Sequence, residues 1–193
     1  MTTYAQLLTD TAAWINRSDL AAQVPTFVTL FESRANRRLR VRKMETAFTG
    51  TIDANNKIAL PSDWTAFKTL WADGYESSPF KSQSLESVVA QNSTSGIPTM
   101  FAIDGTNVRF DGAGNVVGVY YQSIPGLVSS GTNWLCTSNY PAYLFGVLAE
   151  AHAFMMDEQR AAAFFGRSDD VLNNIMETDQ RDRFHGPLVA RVR

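Results

Sequence analysis

The spacing of apolar residues changes twice along this chain, and that change limits the folds open to it. Near the start, Tyr4, Leu8, Thr11 and Ile15 recur at a helical period, with Leu7 and Trp14 beside them. Thr3 and Gln6 match a capping box, in which two side chains satisfy backbone donors at a helix start. Asn16-Arg-Ser-Asp19 breaks the pattern. Val24, Val28, Phe31, Ala35 and Leu39 then form a second stripe, and Pro25 suits a first helical turn, where its missing N–H costs nothing. Arg34, Arg37 and Arg40 fall off that stripe and Arg42 rotates back onto it. This helix therefore either ends near Arg40 or turns its last residues toward something other than its own core.

From Phe48 the period becomes strand-like. Residues 48–52 and 57–60 flank Asp53-Ala-Asn-Asn56, a hairpin-type turn. Residues 66–71 read as a further strand closed by Asp73-Gly74, and 84–91 as a short helix capped by Ser84 with Glu86 in its first turn. Residues 99–103, 108–110 and 116–121 are strand-like. Asp104-Gly105 is a two-residue hairpin signal, because both positions tolerate positive φ, and 111–115 makes a looser turn. An antiparallel meander is the simplest arrangement of these strands.

Residues 124–140, rich in Ser, Gly, Thr and Asn, read as a loop. Pro141 then starts a helix with Leu144, Leu148 and Ala151 on one face, and a last helix is expected from about Glu158 to Arg183, with a kink at Gly166. Gly186-Pro187 ends it, and 188–193 is too short to fold alone. The expected fold class is α+β, as a single domain over 1–193. A helical body is built from 1–45 and 140–184, with an inserted antiparallel β-rich lobe over 46–125 and a tail over 185–193.

Little in the chain points to chemistry. Cys136 stands alone, so no intrachain disulfide can form. His152, His185 and Cys136 are the only His and Cys, and His152 and Asp157 diverge on a continuous helix, so no metal site is expected. No nucleophile elbow or Walker A motif occurs, and Gly112-x-Gly114 lacks the third glycine and the following helix of a dinucleotide site. Asp157-Glu158 and Asp169-Asp170 are adjacent, and neighbours on a helix do not face each other, so they read as solvated surface or helix starts. No enzyme activity and no cofactor are expected. Residues 1–6 lack the basic start of a signal peptide, and the longest apolar run, 142–149, is too short to span a bilayer. A soluble protein made in a cytoplasm, without membrane contact, is the expectation.

Charge is distributed unevenly. Arg34, Arg37, Arg38, Arg40, Arg42 and Lys43 stand against Glu32 and Glu45, whereas 46–193 holds ten basic and fifteen acidic residues. Three readings of the basic band compete: a solvated helix face, a phosphate-binding surface, and a protein interface. The acidic remainder and the lack of interleaved aromatic residues weigh against nucleic acid. Asp157, Glu158, Asp169, Asp170, Asp179 and Asp182 offer acidic partners on a neighbouring copy, which favours the interface.

Two stretches carry a family resemblance. One runs from Pro25 through Glu32-Ser-Arg34 and the basic band to Glu45, and the other is Asn133-Trp-Leu135 followed by Pro141-Ala-Tyr-Leu144 and a helix reaching Arg160. Together with the strand region between them, they resemble the head-to-tail adaptor (connector) proteins of tailed bacteriophages. Cys136 departs from the apolar residue usual after Trp-Leu in that pattern. The resemblance implies a homo-oligomeric ring, commonly a dodecamer, between portal protein and tail protein in the neck of the virion, with genomic DNA passing through it unread. It implies that the tail over 185–193 docks against the portal, and it carries over no catalytic residues. Subunit or portal contacts are expected at Arg34, Arg37, Arg38, Arg40, Arg42, Lys43, Arg191 and Arg193.

Overall fold

The computed structural model describes residues 2–17, 19–91 and 96–184. In chain order it contains α1 (Tyr4–Ile15), α2 (Val24–Arg38), a 3-10 turn (Arg42–Met44), β1 (Glu45–Thr51), β2 (Lys57–Ala59), β3 (Trp64–Ala72) and β4 (Lys81–Ser82). There follow α3 (Leu85–Ala90), β5 (Met100–Asp104), β6 (Asn107–Phe110), β7 (Asn115–Gln122), α4 (Leu127–Ser130), α5 (Trp134–Ser138), α6 (Tyr140–Phe154) and α7 (Glu158–Arg183). The class is α+β, with helices at both ends of the chain and strands between them. The chain divides into two compact units, Met1–Lys43 with Ile124–Arg193, and Met44–Ser123.

The helical unit is organised around α6, which packs against α1, α2, α5 and α7. Its residues Tyr143, Leu144, Val147, Leu148 and Ala151 are buried, as are Phe27, Val28, Phe31 and Ala35 on α2. The ring of Phe31 meets Tyr143 edge-on at 4.8 Å between centroids. Burying a side chain of that size is worth roughly 1.5–3 kcal/mol. Local signals act where they were expected to. The Thr3 hydroxyl accepts from the Gln6 N–H, Asn16 ends α1 in the left-handed region at φ 53°, and Pro25 lies in the first turn of α2. Only half of the capping box forms, because the Gln6 amide donates to Asp10 at 2.8 Å instead. α2 ends at Arg38 and Leu39 is extended, so the first of the two alternatives for Arg42 holds. Helix α7 runs unbroken through Gly166.

Several expectations fail. Residues 124–140 are not a plain loop, since they contain α4 and α5. α5 is started by Asn133, whose side chain accepts from the Cys136 N–H at 2.8 Å. His152 and Asp157 do not diverge: α6 ends, Met156 adopts φ 59°, and the chain turns so that the His152 carbonyl accepts from the Asp157 N–H. Asp157 then caps α7. His152 Nδ1 lies 3.6 Å from Asp157 and makes no hydrogen bond, and the ring stacks on Phe164 instead.

The strands do not form a meander. They make two sheets, one ordered β1-β7-β3 and the other β2-β6-β5-β4. β1 pairs with β7, and β2 with β6, so the turn at Asp53–Asn56 joins strands of different sheets. β4 and β5 are parallel. The β5–β6 hairpin forms where expected, but its turn is shifted by one: Asp104 ends β5 facing Asn107, and the two loop residues are Gly105, at φ 61°, and Thr106. Phe48, Leu70, Val108, Phe110, Val116 and Tyr120 form the core of this unit.

Candidate interface on the helical unit

The basic band begins where α2 runs out of helix. Its six cations serve different purposes, set by whether each residue lies on the helix, at its end or in the turn after it. Arg34 is half-buried, with its guanidinium 4.4 Å from the ring centre of Phe165 on α7 and a 3.5 Å hydrogen bond to Ser168 Oγ. Burial lowers its pKa. Arg38 pairs with Asp169 and donates to Asn173 Oδ1 at 2.9 Å. Arg40 folds back onto the carbonyls of Asn36 and Leu39, where a cation complements the end of the helix dipole.

Arg42 sits in the 3-10 turn and grips α7 three times. Its N–H and its Nε reach Asp179 Oδ1 at 3.1 and 3.0 Å, and its Nη2 reaches Asp182 at 2.8 Å. Asp179 is 11% exposed and also accepts from Arg183. Burial pushes its carboxyl up, but the hydrogen bonds from Arg183 and Arg42 outweigh that and hold it below the usual carboxylate range. Lys43 donates to Ser138 Oγ and lies 5.7 Å from the ring centre of Trp134. Arg37 points to solvent from α2. Arg191 and Arg193 lie outside the described residues.

The band is thus brought together along α7, but much of it is consumed within the chain. Asp169, Asp179 and Asp182, expected to serve a neighbouring copy, are bound by this chain's own Arg38 and Arg42. The cause is distance in sequence: the Arg42–Asp179 pair spans 137 residues, which no local spacing discloses. Among the described members of the band, Arg37 is exposed and makes no hydrogen bond or ion pair.

Sequence reasoning also missed a buried polar node. Glu32 is 8% exposed, and its Oε1 accepts from the Leu127 N–H and from the Tyr143 hydroxyl, both at 2.7 Å. Asn133 donates to the same hydroxyl and to the Pro125 carbonyl. This node ties α2, α4, α5 and α6 together, and burial raises the Glu32 pKa. A glutamate in the middle of an apolar stripe was the available signal. Apolar side chains are also left at the surface of this unit: Trp14 at 53% exposure, Phe154 at 57% and Met156 at 89%.

Among the described residues no group of His, Cys, Asp and Glu is placed to hold a metal ion, and no helix is long and apolar enough to cross a membrane. The family model of the SU10 adaptor protein matches residues 2–191. No curated protein matches the chain.

Proposed function

Because the chain belongs to the SU10 adaptor protein family, a family of phage structural proteins, we propose that copies of it form a homo-oligomeric ring that joins the portal to the tail. The observation that carries this reading is the family match over nearly the whole chain. The ring holds about twelve copies, closed by head-to-tail contacts between unlike surfaces. Two such surfaces are available on the helical unit. One carries outward Arg37 and the partly exposed Arg42 and Lys43, and the other carries Phe154 and Met156 at the α6–α7 turn. Arg34, Arg38 and Arg40 support the first surface from within the chain, and Arg191 and Arg193 reach the portal. Genomic DNA passes through the ring without being read. The chain acts in the neck of the virion after synthesis in the host cytoplasm, and it catalyses no reaction.

Intrachain pairing of Arg38 and Arg42 leaves fewer cations for phosphates, which argues against nucleic-acid binding as the primary role. The test is the solution mass of the purified chain by light scattering, with and without portal protein. A discrete mass near about twelve subunits, alone or on the portal, supports the ring. A monomer in both conditions overturns it. Arg37→Glu should block assembly and leave the subunit folded, since Arg37 is exposed and makes no hydrogen bond or ion pair among the described residues. Deleting 188–193 should leave the subunit folded and weaken portal binding.

A further inference from the structure

The turn between α6 and α7 carries two unfavourable features in one residue. α6 ends in a Schellman motif: the Asp157 N–H donates to the His152 carbonyl at 2.9 Å, and the Met156 N–H donates to the Ala153 carbonyl at 3.0 Å. The corner of that motif is left-handed, and Met156 occupies it at φ 59°. Glycine is the usual residue there, because a side chain crowds the backbone. Met156 also holds its side chain in water, at 89% exposure, and Phe154 two residues earlier is 57% exposed. Neither feature serves the subunit's own core. Strain kept at one surface residue is a mark of function, and apolar groups left together in water are a mark of a contact surface.

The same helical unit has a groove of about 580 Å³ beside the last turns of α7. Trp134, Val171 and Ile175 give it apolar walls that are only half-buried, and Lys43 also lines it. Lys43 donates to Ser138 but makes no ion pair among the described residues. Glu158, at the start of α7, is exposed and makes no hydrogen bond or ion pair among them. We propose that the groove receives the α6–α7 turn of a second copy of this chain, with Met156 among Trp134, Val171 and Ile175 and Glu158 beside Lys43. The turn cannot reach its own groove. Glu158 and Val171 lie on one unbroken helix, about 20 Å apart at 1.5 Å per residue. The contact therefore joins unlike ends of α7 in two copies, a heterologous contact that runs head to tail. Methionine suits such a socket, because its flexible thioether adapts to irregular apolar walls. The pairing of Glu158 with Lys43 sets the register. This inference rests on the ring reading and adds to it the residues that make the contact.

Met156→Gly in the full chain tests this, because it should separate folding from assembly. Glycine accepts φ 59° without crowding, so the urea midpoint of the variant subunit should equal or exceed that of the parent. Its assembly, alone or on portal protein, should weaken roughly tenfold or more, as expected when one large apolar side chain no longer leaves water. Assembly equal to that of the parent overturns the proposal and leaves the ring reading standing. Should the glycine variant fail to fold by circular dichroism, Met156→Asn takes its place, since asparagine also tolerates left-handed backbone. A second experiment locates the contact. The full chain carrying both Met156→Cys and Asn174→Cys, exposed positions on the turn and on the groove, is oxidised in the assembled state. Cys136 is fully buried and burial raises its thiol pKa, so it does not compete. A ladder of disulfide-linked chains is expected from this variant and from neither single variant. An assembled sample that gives no ladder overturns the assignment while the ring stands. So do cross-links from Met156→Cys alone, which would place one turn against another. A parent chain that stays monomeric with and without portal protein overturns both readings together.

Discussion

Phe31 on α2 occupies the space that a side chain at Gly146 on α6 would take: a methyl group there would overlap the ring. Phe31 is fully buried and lies edge-on to Tyr143, so it has no free direction in which to retreat. Gly146 thereby sets the closeness of the two helices. Gly146→Ala should destabilise the chain by about 2–3 kcal/mol through overpacking, although alanine is the better helix former by ~1 kcal/mol. Urea unfolding measures this. Adding Phe31→Leu should recover part of the loss, and a purely additive double variant would show that the two positions are not coupled.

Asp179 contributes to the acid limb of stability. Its folded pKa lies below its unfolded value, so its contribution is present above the ordinary aspartate pKa and is lost as pH falls through the folded value. Asp179→Asn should lower the urea midpoint at pH 7 and leave the midpoint near pH 3 little changed. An equal loss at both values would place the effect in packing rather than in charge.

Glu32 works with the opposite sign. Burial raises its folded pKa above its unfolded value, so its contribution is complete below the ordinary glutamate pKa and is lost as pH rises through the folded value. Glu32→Gln keeps an acceptor for Leu127 and Tyr143 and should flatten that loss. Glu32→Leu leaves a buried N–H and a buried hydroxyl without their acceptor and should cost about 2–5 kcal/mol at any pH. Paired unfolding curves at pH 5 and pH 8 separate the two variants.

In the β unit, Asp111 is 9% exposed and accepts from the Thr99 and Met100 N–H groups and from the Thr99 hydroxyl, at 2.7 to 2.9 Å. It thereby fixes the start of β5 against the end of β6. Asp111→Ala should cost about 2–4 kcal/mol, because each charge-assisted bond contributes more than a neutral one. Amide exchange would show the loss concentrated in β5 and β6, and a uniform loss across the chain would contradict this role.

Local chemistry decided a good part of this protein. Pro25 begins α2, Asp157 caps α7 between the bounds its pattern suggests, Ser84 caps α3, and Gly105 turns the β5–β6 hairpin. Each of these depends on a few neighbouring residues, whose backbone preferences and capping bonds act over one turn. Tertiary structure alone decided the rest. β1 found β7, and Thr51 faces Asn115, 64 residues away, because pairing is chosen by which faces can be buried together. The short helices α4 and α5 form in a polar stretch because Leu127 and Leu135 can be buried and because Glu32 accepts from the Leu127 N–H. The basic band was legible as a band, but its division into intrachain anchors and outward charge was not. That division depends on α7 lying beside the end of α2, a contact between distant segments that no spacing in the chain records.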